Sequence, residues 1–130
     1  MIARLIVLLC VLVASAASAR EIVVRHDMGG DAEDREAEWR ALASRADTTI
    51  RIDGDCVSAC AYVLGIMPRS HACVTPQAAF GFHLATDDDG YPAPDFTRQV
   101  YARTLPAPIQ SWLARQGPLS VERITWLPAD

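Results

Sequence analysis

The stretch IDGDCVSACAYVLG, residues 52–65, decides how the middle of the chain folds, and it places Ser58 between two cysteines. The residues before it alternate and are β-branched, which is typical of a strand, and Gly54 is expected to close that strand. Residues 58–67 are apolar almost all round, which predicts a buried helix and not an amphipathic surface helix. Ser58 is therefore expected where a strand gives way to a helix.

Strands and helices alternate along the rest of the chain. The β-branched residues 20–27 predict a strand, and residues 31–47 predict a helix that begins at an Asp31 N-cap with further acids in its first turn. The later predictions are one or two short strands in 71–85, a loop at 86–94, helices at 95–105 and 106–117, and a short helix or turn at 118–127. This order favours a small α/β domain with a mostly parallel sheet.

The first residues of the chain have the composition of a secretory signal peptide. Arg4 precedes an apolar run from 5 to 13, and Ala17-Ser18-Ala19 forms a small-residue cleavage site, so residues 1–19 are assigned to the signal. A single domain, residues 20–130, is expected to be secreted or periplasmic, and its length suffices for one core. Its formal charge of −5 does not favour nucleic acid, and none is expected as a partner.

Three cysteines follow the signal peptide: Cys56, Cys60 and Cys73. An oxidising compartment favours one disulfide and one remaining thiol. Cys56 and Cys60 are near enough to bridge if Cys60 begins a helical turn, and Cys73 could reach either one if its strand lies alongside. The pairing stays open at this point. Because the chain has no C-x-x-C pair, no metal site is expected.

Three features with chemical uses follow strands: Gly30 after the first, Ser58 after the second and His83 after the third. The carboxyl ends of neighbouring parallel strands share one edge of a sheet, so the three are expected to converge. A histidine can take the proton of a serine nucleophile, and the N–H groups of Gly30 and Ala59 could stabilise an oxyanion. Taken singly, each has a structural interpretation: a glycine turn, a helix-capping serine and a half-buried histidine.

The segments MGG, GDCVSACAYVLG and FGFHLA, in this order, resemble the Clp protease/crotonase superfamily. The similarity is greatest to small secreted bacterial members with a C-x-S-A-C serine motif, and it covers about residues 22–85. The spacings are also similar, with 28 residues from Gly30 to Ser58 and 25 from Ser58 to His83. The resemblance implies a ββα-type superhelical fold in which Gly30 supplies an oxyanion donor, Ser58 the nucleophile and His83 the general base.

The resemblance also implies a function, a serine hydrolase or peptidase that acts on peptides or other acyl compounds. It implies no cofactor, a homo-oligomer, and, outside the cytoplasm, no ATPase partner. The chain contains no lysine, which excludes the serine-lysine dyad of related signal-peptide peptidases. The triad aspartate of the protease is expected well beyond the histidine, past Asp130. The acids that follow His83 closely lie in a predicted solvated loop: Asp87, Asp88, Asp89 and Asp95.

The sequence supports a second interpretation from another class. In it the chain is a non-catalytic binding or self-assembling domain that retains the fold. Ser58 then caps the buried helix, and the cysteines brace the turn before it. The two interpretations differ in one contact. In the hydrolase, the His83 imidazole lies within hydrogen-bond distance of the Ser58 hydroxyl, and a carboxylate orients the imidazole.

Overall fold

The computed structural model describes residues 18–130, so the predicted signal peptide, residues 1–19, lies almost entirely outside the described residues. The strands are β1 (Arg20–Asp27), β2 (Thr48–Val57), β3 (Ala72–Val74), β4 (Ala79–Phe82) and β5 (Thr125–Pro128). The α-helices are α1 (Ala32–Ala43), α2 (Val63–Ile66), α3 (Pro94–Thr104) and α4 (Ala107–Arg115), and 3₁₀ turns span Ser58–Tyr62 and Arg69–His71. Within residues 18–130 no helix is both long and apolar enough to cross a bilayer.

The sheet has the order β1-β2-β4-β5, and β3 pairs with β2 beside the first half of that strand. All pairs among β1 to β4 are parallel, and β5 alone runs antiparallel, against β4. The prediction of an α/β domain with a mostly parallel sheet is therefore confirmed. The core contains buried residues of the central strands and of the helices that cover them: Trp39, Ile50, Ile52, Phe80, Phe82, Val100 and Leu113.

The end of β2 differs from the sequence prediction. Gly54 does not close the strand, because β2 continues to Val57. The register between β1 and β2 shifts at this point, so that β2 carries one residue more than its partner. A Cβ at Gly54 would overlap the backbone carbonyl of Arg25, so glycine is needed for the close approach of the two strands. The glycine marks a bulge that places the last residues of β2.

The buried helix predicted over 58–67 is two short elements. A 3₁₀ turn over Ser58–Tyr62 leads directly into the single turn of α2, and Pro68 follows the segment. The prediction of burial is confirmed, since Ala59, Cys60, Ala61, Tyr62 and Val63 are all buried. Short 3₁₀ turns commonly begin α-helices, and periodicity does not distinguish the two in an all-apolar run.

The last predicted element is wrong. Residues 118–127 were expected to form a short helix or turn, but they form an irregular segment that leads into the strand β5. β5 pairs with β4, with Leu127 opposite Phe80 and Thr125 opposite Phe82. This pairing joins residues distant in sequence, and such context overrides local preference. The other helix predictions, α1, α3 and α4, are confirmed, and Asp31 caps α1 by accepting a hydrogen bond from the Asp34 N–H.

Candidate active site

Ser58 lies in a left-handed backbone conformation directly after β2. Its φ angle is +58°, and among the described residues it is the one non-glycine residue with a positive φ. Such a conformation costs about 1–3 kcal/mol and persists only where the surroundings enforce it. A serine on a sharp, strained turn from strand to helix is the arrangement that exposes the hydroxyl of a nucleophile. The side chain makes no hydrogen bond with residues 18–130 and does not cap the 3₁₀ turn.

A disulfide brackets this turn. Cys56, at the end of β2, bonds to Cys60, and their Cα atoms are 5.2 Å apart. Both cysteines are fully buried, whereas Cys73 is exposed and free. The expectation of one disulfide and one thiol is confirmed, and the pairing left open by the sequence is Cys56–Cys60. The covalent link joins the two sides of the turn that holds Ser58.

The two glycines after β1 form a turn against the Ser58 backbone. Gly29 has a φ of +97° and Gly30 a φ of +119°, both in the region that favours glycine. A Cβ on Gly29 would lie 2.9 Å from the Ser58 Cβ and 3.0 Å from the Ala59 nitrogen. A Cβ on Gly30 would meet nothing within 4 Å, because this residue faces the open cleft. Gly29 therefore packs against the Ala59 nitrogen, whereas Gly30 faces the cleft.

Helix α1 holds both of these turns in place. Asp27 accepts a hydrogen bond of 2.9 Å from the Gly29 N–H and one of 2.6 Å from Arg35. The Arg35 guanidinium lies 4.9 Å from the centre of the Trp39 ring. The Trp39 indole N–H donates to the Ala59 carbonyl oxygen at 3.2 Å, and this bond is buried. One helix therefore fixes the glycine turn through its arginine and the Ser58 turn through its tryptophan.

His83 follows β4 directly and is half-buried. Its Nδ1 lies 2.9 Å from the Leu84 carbonyl oxygen, and its own carbonyl accepts a hydrogen bond from the Tyr101 hydroxyl at 3.1 Å. In the tautomer with a proton on Nδ1, that N–H donates to Leu84 and Nε2 is left as an acceptor. A backbone carbonyl thus occupies the place of the orienting group that a triad assigns to a carboxylate.

The acidic residues that follow His83 form hydrogen bonds and an ion pair within their own loop and helix. Asp87 accepts hydrogen bonds from the N–H groups of Asp89 and Tyr91, and Asp95 pairs with Arg98 at 2.7 Å. None of the carboxylates in residues 18–130 lies within ion-pair distance of His83. The prediction of a solvated loop is confirmed for Asp87, Asp88 and Asp89, which are exposed, and it is wrong for Asp95, which lies in the first turn of α3.

One cleft of about 470 Å³ brings Gly30, Ser58 and His83 together at the carboxyl edge of the sheet. Ala59 is fully buried and does not line the cleft, although its nitrogen lies beside the glycine turn. No hydrogen bond joins Ser58 to His83 in this structure. Such contacts are often longer in an unliganded site than in a complex with substrate.

The sequence interpretation did not include Tyr62, which also lines the cleft. The residue is 2 % exposed, and its ring meets the Tyr101 ring edge-on, with 6.2 Å between the ring centres. Burial raises the pKa of Tyr62 to about 12; the positive charge of Arg103 opposes this rise, and the negative charges of Glu36 and Asp31 add to it. The phenol stays protonated at neutral pH. The sequence signal was a hydroxyl four residues after Ser58 in an otherwise apolar segment.

Neither family models nor curated proteins match the sequence. Among solved structures, the chain is similar to a mutant of ClpP1 from Listeria monocytogenes, with 15 % sequence identity and a TM-score of 0.49. The similarity covers 86 % of this chain and 67 % of that protein.

Proposed function

We propose that this protein is a serine hydrolase of the Clp/crotonase type, secreted or periplasmic after removal of residues 1–19, that cleaves peptides or other acyl compounds. Ser58 is the nucleophile, His83 is the general base, and the N–H groups of Gly30 and Ala59 stabilise the oxyanion. The proposal rests on one observation above all: Ser58 is held at a φ of +58°, with its hydroxyl unbonded, in a cleft that it shares with His83.

The proposed reaction is an acyl transfer in two steps. The Ser58 hydroxyl attacks the acyl carbonyl and gives its proton to His83 Nε2, while the carbonyl oxygen becomes an anion that accepts hydrogen bonds from Gly30 and Ala59. His83 then protonates the leaving group, and an acyl ester on Ser58 remains. Water hydrolyses that ester with His83 again as the base, which restores the hydroxyl and releases the acid.

The imidazole has an orienting group in this scheme without an aspartate. The Leu84 carbonyl fixes the ring by accepting the Nδ1–H hydrogen bond, at 2.9 Å. A neutral carbonyl stabilises the imidazolium less than a carboxylate does. In a typical triad, replacing the aspartate by its amide lowers the rate by about 10⁴-fold, part of which comes from the wrong tautomer. We expect a slow hydrolase whose histidine is nevertheless held in the productive tautomer.

Labelling with an uncharged fluorophosphonate probe tests the proposal. The wild-type domain is expected to react, and Ser58→Ala is expected to lose all labelling. The labelling rate of His83→Ala is expected to fall by about 10²-fold or more. Ser70→Ala is the matched control, because Ser70 is exposed in the next 3₁₀ turn and should leave the rate unchanged. Labelling that persists in Ser58→Ala, or that never occurs in folded wild-type protein, would refute the nucleophile.

A second candidate is a non-catalytic binding or self-assembling domain with the same fold. The observation that favours it is the absence of a carboxylate partner for His83, and of a hydrogen bond from His83 to Ser58, within residues 18–130. Under this candidate the cleft binds a ligand without turnover, and Ser58 does not act as a nucleophile. Fluorophosphonate labelling therefore separates the two candidates directly.

A further inference from the structure

Four acidic residues, the rim carboxylates, line the cleft: Asp31, Glu33, Asp87 and Asp88. None of the arginines in residues 18–130 lines the cleft, and none of the four carboxylates forms an ion pair with another of the described residues. Two of them, Glu33 and Asp88, also accept no hydrogen bond from residues 18–130. A cleft lined by one sign of charge attracts the opposite charge more strongly than an open surface does.

The rim carboxylates do not form a compact cluster of metal ligands. Residues 18–130 contain no group of three or more His, Cys, Asp or Glu side chains placed close enough to hold a metal ion. Dispersed negative charge suits an extended organic cation better than a compact divalent ion, which needs several oxygens at one point. The charge pattern by itself, however, says nothing about where such a ligand would be anchored.

Tyr62 is a second and independent feature of the same cleft. Its side chain is almost wholly buried, it lines the cleft, and its hydroxyl has no hydrogen-bond partner in the described part of the chain. The Tyr62 oxygen is not among the fully enclosed atoms of the described residues that lack a partner, so it reaches the cleft, where a ligand can bond to it in place of water. A phenol oxygen can accept a hydrogen bond from a guanidinium or an ammonium. Phe96 adds an apolar surface for an alkyl chain.

We propose that the cleft selects basic peptides: an arginine or lysine side chain enters it, its stem packs on Phe96, and its charged group donates a hydrogen bond to the Tyr62 oxygen. The negative charge of the four rim carboxylates attracts the cation into the cleft. This assignment rests on the proposed function in that it names the substrate class of the same site. It adds two specificity-determining features, the rim and Tyr62, that the acyl-transfer chemistry does not require.

Binding to the Ser58→Ala protein tests this without any need for turnover. The probes are a fluorescent short peptide with a central arginine and the same peptide with citrulline, which keeps the shape and removes the charge. Fluorescence anisotropy should show the arginine peptide binding about tenfold tighter or more at about 0.01 M ionic strength. This preference should shrink strongly at about 1 M salt, where exposed charges are screened.

Variants that remove equal charge at two places test which carboxylates cause the preference for the arginine peptide. Glu33→Gln with Asp88→Asn should reduce the preference to about twofold or less, by removing two rim charges. Glu21→Gln with Asp130→Asn is the control, because it removes the same charge from the opposite end of the strands and should leave the preference unchanged. Tyr62→Phe should weaken the arginine peptide about fivefold or more and leave the citrulline peptide within about twofold.

Equal binding of the two peptides, or an equal effect of the rim and control variants, overturns the inference. These results are distinguishable from failure of the proposed function. If the uncharged fluorophosphonate labels Ser58 but the arginine preference is absent, the hydrolase stands and its basic specificity is wrong. If the preference is present but labelling never occurs, the cleft is a binding site for basic peptides and the hydrolase is wrong.

Discussion

Replacing Gly29 by alanine should destabilise the domain through a contact with the Ser58 turn. The new Cβ would lie 2.9 Å from the Ser58 Cβ, 2.9 Å from the Val57 carbonyl oxygen and 3.0 Å from the Ala59 nitrogen. Two of these atoms belong to the backbone, so no side-chain rotation relieves the overlap. Overpacking of this kind costs about 1–3 kcal/mol. The φ of +97° adds about 1–2 kcal/mol of strain for a residue with a Cβ.

Gly30 provides the matched control, since it is adjacent and also has a positive φ. An alanine Cβ there would meet no atom within 4 Å, so Gly30→Ala carries the backbone strain without the overlap. In urea denaturation, we expect Gly29→Ala to lose about 1–3 kcal/mol more unfolding free energy than Gly30→Ala, with the same m-value. Because the overlap displaces Ser58, fluorophosphonate labelling of Gly29→Ala should also slow. Equal losses of stability in the two variants would refute the packing of the glycine turn on the serine turn.

Three further predictions concern the groups that hold the site. Trp39→Phe removes the buried indole bond to the Ala59 carbonyl and should cost about 1–3 kcal/mol in urea denaturation; no loss would mean that this bond contributes nothing. Reducing the Cys56–Cys60 disulfide with dithiothreitol opens a short loop and should cost about 2 kcal/mol, read from a thermal midpoint below that of the oxidised protein; an unchanged midpoint would contradict a stabilising role for the disulfide. Burial alone would raise the pKa of Glu36, but hydrogen bonds and charge from its two arginine partners lower it below 4.5. Ionised Glu36 therefore stabilises the fold above its unfolded pKa, so Glu36→Gln should cost about 1 kcal/mol at pH 7. That deficit should vanish as the pH falls through the lowered pKa, and a deficit that persists at acidic pH would contradict the assignment.

The helices and the parallel strands followed from local patterns. β-branched alternation located β1 and β2, and helical spacing with an Asp31 cap located α1. Those signals depend on neighbours within a few residues, which a sequence displays directly. β5 was missed because its structure depends on pairing with β4, more than 40 residues earlier. Gly54 was misassigned because a glycine at a bulge and a glycine at a strand end look alike in sequence.

The candidate site was predicted in its membership but not in its geometry. Chain order indicated that Gly30, Ser58 and His83 would share one edge of the sheet, since each follows a parallel strand. The positive φ of Ser58 could not be predicted, because such a conformation depends on the surrounding structure, here a turn packed against Gly29 and bracketed by the disulfide. The hydrogen bond from His83 to a backbone carbonyl is likewise set by the local path of the chain after β4. Sequence patterns indicate which residues share an edge of the sheet, but they do not give backbone dihedral angles.

Peptide mapping of the wild-type protein after reaction with the uncharged fluorophosphonate tests the central claim most directly. Cleavage after Arg51 and Arg69 releases residues 52–69, in which Ser58 is the only serine and Tyr62 the only other hydroxyl side chain. The prediction is one phosphonyl adduct per chain, on this peptide, with fragment ions that place it on Ser58. An adduct on Tyr62 or on any other peptide, or an unmodified folded protein, would contradict the assignment of Ser58 as the nucleophile.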